Sequence, residues 1–460
     1  MQLTESVIIH DKLRAGLPTV LLLVGETPLD KLLEFFREKC VSLSTERTYA
    51  QAVGKFIEWL SVRAEEFKQQ EKRSLLYTAF AHDLRFGTYQ NGEDLYGLNW
   101  RPTSDLNLKR LCRALMEFSD WLNMRYGSAL INPIHQDASY TNQMIFWRAW
   151  NKHKAGSLLA HTKSRAKALN KSFLSRQSQL PKSKSGFMED AKAFPADKVE
   201  DLLWKGFINP KNNSGDLPWF KYNLRDILIS LLCIYGGCRA SEPLHLWVGD
   251  VFVDPESPDV ALVLIHEPSD GKFEYIDPIT GKNRKTSRAE YLQVFCGGLK
   301  PLTQETGRRH SGWKGCLLTH RERGAFQVFW IDKNAGRLFL TLWRLYIQHV
   351  RPPALRMPWA FLTKDAQPLG MEGFDDSFRA AVRRIGLKPS KWAGTSSHGL
   401  RHRYGQWLNE LGLGEKEGQV AMHHLNAKSQ QVYRQIGVNK VAEAIGKLNV
   451  NVPLHLKDAS

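Results

Sequence analysis

Five residues that can act together on a phosphate ester occur in order in the C-terminal half of the chain: Arg239, His398, Arg401, His424 and Tyr433. Arginine stays charged, and its planar fork can hold two phosphate oxygens at once. Histidine donates to a phosphate oxygen or moves a proton near neutral pH. Tyrosine becomes a nucleophile once cationic neighbours or a base ionise its phenol, whose ordinary pKa is ~10. The set therefore suits attack on a phosphodiester.

Each of these residues, taken alone, also has a purely structural interpretation. Arg239 can pair with Glu242 as an ordinary helix contact, and His398 follows a good helix start, so it can be first-turn surface. His424 can be a core histidine, and Tyr433 can lie on an apolar face. What favours catalysis is the order and spacing of the whole set, in which Tyr433 follows His424 by nine residues.

The ordered set resembles the catalytic residues of the tyrosine recombinase (phage integrase) family, from about Ala193 to Lys447. The resemblance implies a covalent 3′-phosphotyrosyl intermediate on Tyr433 and a free 5′-hydroxyl. Because that ester stores the bond energy, neither ATP nor a metal is expected, and the sequence has no P-loop or carboxylate cluster suited to magnesium. The family usually has Gly-His where this chain has His423-His424, so a residue with a Cβ replaces the usual glycine.

The family also uses a lysine on a β-hairpin as general acid to the leaving 5′ oxygen. That hairpin usually follows the first arginine closely, whereas Arg239 and Arg401 are 162 residues apart here. We expect the extra length between residues 267 and 327. The stretch holds Lys272, Lys282, Lys285, Lys300 and Lys314. We favour Lys314 because a strand-like segment, residues 326–331, follows it, and Lys272 and Lys285 come next.

The charge balance indicates an acidic polymer as partner. The chain of 460 residues has a net charge of +17 and a pI near 9.5, which suits double-stranded DNA. Its longest aliphatic run, Val20 to Val24, is far below the ~20 residues that cross a bilayer, so no membrane partner is expected. Its six cysteines form no C-x-x-C pair, so neither a structural zinc site nor a disulfide framework is expected, and a reducing cytoplasm fits. The resemblance implies a bacterial cytoplasm, near the nucleoid.

The length predicts two domains. Residues 1–185 are expected to form a helical core-binding domain, residues 190–450 the catalytic domain with an insertion within about 267–327, and residues 451–460 a tail. Apolar residues at helical spacing make the N-terminal part all helical in this interpretation, with a helix start at Thr27-Pro28. Thr45, Tyr49, Phe56 and Trp59 also resemble the core-binding domain of the family. The predicted class is mainly α with a small β-sheet, forming a C-shaped clamp on DNA.

A basic segment lies between the two predicted domains. From Ala138 to Met188 there is no acidic residue, and the end of the stretch has the Ser, Gly and Pro content of a linker. We expect it to follow the DNA backbone, with an affinity that depends strongly on salt. The residues assigned to this role are Lys163, Arg165, Lys167, Lys171, Arg176, Lys182 and Lys184.

In the C-terminal domain we expect strands at residues 247–253 and 260–265, buried and amphipathic helices around them, and His398 and Arg401 on one helix face. The segment from Asn439 to Leu448 carries an apolar stripe that can dock on another subunit or pack on its own domain. The resemblance implies docking on a neighbour in a tetramer on DNA, and accessory proteins are further candidate partners. The expected function is site-specific recombination or integration for a mobile element. A type IB topoisomerase-like enzyme and a non-catalytic DNA-binding regulator are the alternatives.

Overall fold

The structure is a computed structural model that describes residues 3–14, 16–68, 75–90, 92–94, 96–135, 140–155, 165–176, 192–209, 217–277, 280–354 and 356–425. The chain divides into two compact units, Met1–Gly186 and Phe187–Ser460. Tyr433, the segment 439–448 and the tail 451–460 lie outside the described residues.

Helices form most of the described part of the N-terminal unit. They are α1 Asp30–Lys39, α2 Leu43–Arg63, α3 Leu76–Phe86, α4 Asp105–Tyr126, α5 Tyr140–Ala155 and α6 Arg165–Ser172. Ser42 caps α2 by accepting a hydrogen bond from the backbone N of Thr45 at 3.4 Å. Tyr49, Phe56 and Trp59 are buried along one side of α2, which packs against α4. The predicted helices from Leu43 to Tyr126 are confirmed.

The N-terminal unit also contains a sheet that the sequence analysis missed, so the prediction of an all-helical N-terminal part is wrong. Strands β1 Thr4–Asp11, β2 Leu17–Val24 and β3 Thr27–Pro28 pair antiparallel in that order. Val20 and Leu22 alternate inward and are 2% and 3% exposed. Only this two-residue alternation distinguishes a strand from a helix in so short an apolar run.

The predicted helix start at Thr27-Pro28 is also wrong. Pro28 pairs with Leu23 in β3, and α1 begins at Asp30. Because β3 is an edge strand, a residue without a backbone N–H is tolerated there. Two further two-stranded ribbons complete this unit: β4 Tyr89–Gln90 with β5 Glu93–Asp94, and β6 Ile134–His135 with β7 Ser175–Arg176.

The C-terminal unit is mainly helical. A helical run of three turns opens it: Ala196–Lys198, Val199–Asp201 and Leu202–Gly206, the last with π-helical geometry. The remaining described helices are α7 Pro218–Lys221, α8 Leu224–Ile234, α9 Arg288–Phe295, α10 Lys333–Leu345 with a π-helical turn Tyr346–Val350, α11 Met371–Arg384, α12 Ser397–Glu410 and α13 Glu415–Ala421. Short 3-10 turns lie at Pro243–His245, Val248–Asp250 and Gly307–Arg309.

A small antiparallel sheet lies beside these helices. Its strands are β8 Val251–Asp254, β9 Ser257–His266 and β12 Ala325–Gln327, in the order β12-β9-β8. The strand predicted at 260–265 is confirmed, whereas the predictions at 247–253 and 326–331 are correct only where they overlap β8 and β12. A separate hairpin, β10 Lys272–Ile276 and β11 Asn283–Ser287, lies between β9 and β12. The mainly α class with small sheets is confirmed.

The core of the C-terminal unit surrounds α8, whose residues are almost all buried because Leu and Ile occupy every side of it. Helices α10 and α12 pack against it. The segment after the hairpin is anchored by Arg288, which is 1% exposed, donates to Asp250 and lies 4.2 Å over the ring of Trp247. All six cysteines are free. In the described ranges, every helix is too short or too polar to cross a membrane.

Candidate active site

Arg239 lies on a tight turn that follows α8. The turn closes where the backbone N of Cys238 donates to Leu232 O at 3.0 Å. Gly237 has a φ of +69°, and a Cβ there would lie 2.5 Å from the ring of Tyr404. Glycine is therefore required at this position both by the backbone conformation and by the close approach. The Arg239 side chain is 17% exposed, so the turn presents a charged group at the surface.

Glu242 is a fully buried carboxylate that joins the two arginines of the predicted set. It accepts from the backbone N of Arg239 at 2.7 Å and from Arg239 Nη1 at 2.5 Å. Its Oε2 also lies 3.6 Å from Arg401 Nη1. The Arg239–Glu242 contact foreseen as the structural alternative exists, although on a turn and not on an α-helix. Because the same carboxylate reaches Arg401, it brings the two arginines together.

Arg401 is 0% exposed and lies on the first turns of α12. Its Nη1 donates to Gly237 O at 2.6 Å, and its Nη2 donates to Met422 O. The guanidinium thus connects the turn that carries Arg239 to the turn that carries His424. A buried arginine with carboxylate and carbonyl partners holds both turns at once.

His398 opens α12 and keeps an exposed ring. That ring lies 4.7 Å from the ring of His402, nearly perpendicular to it. Surrounding protein atoms on its inner side lower the pKa of His398, and the charges of His402, Arg401, Lys314 and Arg239 lower it further. The charges of these groups therefore act on His398, and the imidazole is neutral at neutral pH.

His424 lies on the turn after α13 and is 2% exposed. Its backbone N donates to Gln419 O, and Gln419 Nε2 donates back to His424 O, both at 2.9 Å. Burial lowers the pKa of His424 to about 3, helped by the charges of Arg401 and Arg239. The structure thus gathers four of the five predicted residues, and the fifth, Tyr433, lies outside the described residues.

His423 occupies the position where the family usually has glycine. Its φ is +55°, in the left-handed region that favours glycine. The ring is fully buried and stacks on Phe326 with centroids 3.9 Å apart. Its backbone O accepts from Leu317 N at 3.1 Å. Stacking therefore accompanies a backbone conformation that a residue with a Cβ rarely adopts.

Lys314 is exposed on the segment between the Gly307–Arg309 turn and β12. Its charge contributes to the lowered pKa of His398. The same segment contacts the His424 turn, since a Cβ on Gly315 would lie 2.9 Å from Leu425. The structure therefore places the favoured lysine beside the histidine and arginine cluster.

The other two lysine candidates lie on the β10–β11 hairpin. Lys272 pairs with Ser287 in the strand register, and Lys285 forms an ion pair with Glu274 at 3.3 Å. The resemblance places the general acid on a hairpin, and Lys314 is not on one. Position on a hairpin therefore favours Lys272 or Lys285 as the general acid, whereas closeness to His398 favours Lys314.

Residues 220–439 match a family model described as the phage integrase family. The match covers slightly under half of the chain, so it is the segment 220–439 that is similar to the phage integrase family. The matched residues include Arg239, His398, Arg401, His424 and Tyr433. Around the first four, no group of three His, Cys, Asp or Glu side chains is placed to hold a metal ion, nor is there one elsewhere in the described ranges.

Several solved structures resemble this chain at low identity. The XerH site-specific recombinase bound to difH substrate is 13% identical with a TM-score of 0.44, and the match covers 88% of this chain and 80% of that one. The Tn1549 transposon integrase in complex with transposon right end DNA is 13% identical, with coverages of 81% and 98% and a TM-score of 0.36. A lambda integrase dimer bound to a core site is 13% identical, with coverages of 73% and 90% and a TM-score of 0.28. No curated protein matches the chain.

The basic residues that the sequence analysis assigned to DNA fall in different places. Lys163, Lys182 and Lys184 lie outside the described residues, whereas Arg165, Lys167 and Lys171 lie on α6, with Lys171 exposed. Arg176 lies in β7 and donates to Asp120 at 2.5 Å and to Asn132 O at 2.8 Å. The described parts of the segment thus form α5, α6 and β7 of the N-terminal unit.

Two residues near the cluster of arginines and histidines were missed by sequence reasoning. His402 directly follows Arg401, and Gln419 fixes the His424 turn. The only available signal for His402 was its place one residue after a catalytic candidate on the same helix. No sequence pattern marks Gln419, because its partner is a backbone atom.

Proposed function

We propose that this chain is a site-specific DNA recombinase or integrase that serves the integration or transposition of a mobile element. The observation that carries the proposal is that Arg239 and Arg401 share one buried carboxylate, Glu242, and that both arginine charges act on His398 and His424, within the segment matched by the phage integrase family. The proposed substrate is double-stranded DNA, in line with the net charge of +17.

The two arginines have different tasks in this proposal. Arg239 is partly exposed, so it makes the outer contact to the non-bridging oxygens of the scissile phosphate. Arg401 lies beneath, adds its charge and fixes the turns at Gly237 and Met422. Such prearranged donors stabilise charge that grows in the transition state.

Tyr433 is the proposed nucleophile. Its phenol oxygen bonds to phosphorus, the bond from phosphorus to the 5′ oxygen breaks, and the electron pair leaves on that oxygen. His398 and His424 are neutral in the free protein, so either can donate to a phosphate oxygen or accept the phenol proton. Lys314 is the proposed acid that protonates the leaving 5′ oxygen. Attack by a 5′-hydroxyl of another duplex reverses these steps and rejoins the strands, and no ATP or metal ion takes part.

The test is covalent capture on a nicked suicide substrate that carries the attachment site of the element. The native chain should yield a protein–DNA adduct, and Tyr433→Phe should abolish it while DNA binding persists. Tyr140→Phe is the matched control, because Tyr140 is 77% exposed on α5. An adduct of undiminished yield from Tyr433→Phe would remove Tyr433 from this role.

Two alternatives share part of this evidence. A type IB topoisomerase-like enzyme has the same chemistry but releases one strand for rotation, whereas a recombinase exchanges strands between two labelled duplexes. A non-catalytic DNA-binding regulator would bind without any adduct. The gathered cluster of Arg239, Arg401, His398 and His424 favours an enzyme over the regulator.

The proposal includes assembly to a tetramer on DNA, because two duplexes need four active sites. An apolar groove of about 550 Å³ lies on the C-terminal unit. Its lining comprises Phe329, Trp330, Ile331, Tyr404, Leu408, Leu411, Leu413, Lys416, Glu417, Val420 and Ala421. The segment from Asn439 to Leu448, with its apolar stripe, is the proposed occupant from a second copy. An isolated helix of that length is unstable in water and needs another surface to fold.

A further inference from the structure

An exposed tryptophan lies just before the helix that carries His398. Trp392 is 79% exposed, although indole is among the largest apolar side chains. The lysines Lys388 and Lys391 of the same loop are also exposed. A single exposed apolar residue is ordinary in itself. Whether Trp392 has a role depends on how its loop is held and on which residues lie next to the indole.

The loop is fixed by a compact set of hydrogen bonds. Thr395 Oγ1 donates to Lys388 O at 2.5 Å and accepts from Ser390 N at 2.9 Å, and Ser390 Oγ accepts from Trp392 N at 3.2 Å. Gly394 has a φ of +72°, and a Cβ there would lie 2.2 Å from Ala193 O. The indole is thus presented to solvent from a closely packed support.

A chain of contacts leads from Trp392 to the candidate active site. Lys192 Nζ lies 4.4 Å from the centre of the Trp392 ring. The segment that follows Lys192 is joined to the first turns of α12, where Phe194 N donates to Gly399 O at 2.9 Å. Burial lowers the pKa of His402, and the charges of Arg401 and Lys192 lower it further. The His402 ring lies 4.7 Å from that of His398. Trp392 and Lys192 therefore lie at the rim of the site.

A cation over one face of an exposed aromatic ring matches the two parts of a nucleotide, because an indole that is 79% exposed still offers open ring surface to a base. Ammonium groups neutralise phosphates, and an indole stacks on the face of any base. In an intact duplex the base faces are covered by their neighbours, so stacking needs an unpaired nucleotide. Cleavage supplies one, because the strand with the free 5′-hydroxyl can leave its partner.

We propose that Trp392 and Lys192 bind an unpaired nucleotide next to the cleaved phosphate, with the base on the indole and a phosphate on the ammonium group. The proposal rests on the proposed recombinase function. It assigns Trp392 the task of holding the freed strand until it is joined to the other duplex.

The test measures binding by fluorescence anisotropy in the Tyr433→Phe background, where cleavage does not interfere. The probes are a duplex with an unpaired oligo-thymidine flap and the same duplex fully paired. Trp392→Ala should weaken binding of the flapped duplex about 10-fold and leave the paired duplex nearly unchanged. Trp392→Phe should restore much of the difference. Lys192→Ala should weaken both and lower the salt slope by about 1.

Phe220→Ala and Lys221→Ala are the matched controls. Phe220 is 44% exposed, and Lys221 lies 5.3 Å over the ring of Tyr222, both on α7 of the same unit. Neither should change the ratio of the two affinities. An unchanged ratio in Trp392→Ala, with native thermal unfolding, would overturn the proposal. If Trp392→Ala leaves the ratio unchanged while a Trp392→Ala chain that retains Tyr433 gives a normal adduct yield, the nucleotide site is wrong and the recombinase function stands. If the adduct is lost while the preference for the flapped duplex remains, the proposed cleavage reaction is wrong and the nucleotide site stands.

Discussion

His423 stacks on Phe326 with ring centroids 3.9 Å apart and an angle of 25° between the ring planes. His423 directly precedes His424 in the chain. Its backbone O accepts a hydrogen bond from Leu317 N, which belongs to the segment that carries Lys314. It therefore connects two residues with proposed roles in the reaction. The left-handed backbone of His423 is unfavourable for a residue with a Cβ, and the buried stack offsets that cost.

His423→Gly should lower the free energy of unfolding by about 2–4 kcal/mol, although glycine suits the backbone. The loss of a large buried ring outweighs the relief of about 1 kcal/mol of backbone strain. His423→Ala should be less stable than His423→Gly, since it loses the ring and keeps the strain. Urea unfolding of the three chains gives the order. A glycine variant as stable as the native chain would show that the stack contributes no more than the backbone strain that it offsets.

Arg401→Ala and Arg239→Ala should both lose covalent capture but should differ in stability. Arg401 is buried, so its removal takes the guanidinium donor from two carbonyls and one of two cations from the buried Glu242, and it should cost about 3–5 kcal/mol. Arg239 is partly exposed, and its backbone N still bonds Glu242, so the loss of stability should be smaller. Arg401→Lys should also fail in capture, because a point charge cannot replace the fork. Equal unfolding midpoints for the two alanine variants would contradict this difference.

Lys314→Ala should slow cleavage of normal DNA and recover on a substrate with a bridging 5′-phosphorothiolate. A thiolate leaves without a proton, so the variant no longer needs its acid. Single-turnover cleavage rates on both substrates test this. Lys285→Ala, which removes a lysine paired with Glu274, is the control and should be near native on both. If Lys314→Ala is neither slow nor rescued, Lys272 and Lys285 become the candidates.

Lowering the pH should destabilise the C-terminal unit even at pH values above the usual pKa of carboxylates. Burial lowers the pKa of His245, His266 and His424 to about 3 from 6.5. Between those values the unfolded chain binds more protons than the folded one, so the free energy of unfolding falls as the pH drops from about 6.5 towards 3. The slope is at most about 1.4 kcal/mol per pH unit for each histidine.

Urea unfolding at several pH values between 7 and about 5 measures this slope. His245→Asn should make it shallower, because one buried neutral histidine is removed. His82→Asn is the control, since the His82 side chain is 65% exposed. A native stability that is flat over this range would show that these rings can be protonated in place.

Truncation after Gly437 should leave DNA binding by a single chain and remove synapsis and strand exchange. The segment from Asn439 to Leu448 is the proposed occupant of the groove beside α12 and α13 on another copy. Leu408 lines the groove, so Leu408→Gln in the full-length chain should also remove synapsis and strand exchange. The comparison requires that the variant unfolds at the same midpoint as the native chain. Gel-shift assays with two labelled duplexes separate these outcomes. Normal recombination by the truncated chain would exclude docking on another subunit, and wholesale insolubility would point to packing on its own unit.

The sequence alone predicted a candidate set of site residues and most of the helices. His398 and Arg401 could be placed on one helix face because a helical period is local and needs no distant partner. The buried helix α8 followed from its continuous Leu and Ile content. The set of two arginines, two histidines and a tyrosine was identified by order and spacing, which are properties of the chain itself.

Only the tertiary structure decided which groups touch. Glu242 looked like a local partner of Arg239, and its contact with Arg401 depends on how α8 and α12 pack. The N-terminal sheet was missed because an apolar run as short as β2 is compatible with either a strand or a helix. The neighbours of Lys314 and of Trp392 come from residues far away in the sequence, and spacing along a chain carries no information about such contacts until the core fixes them.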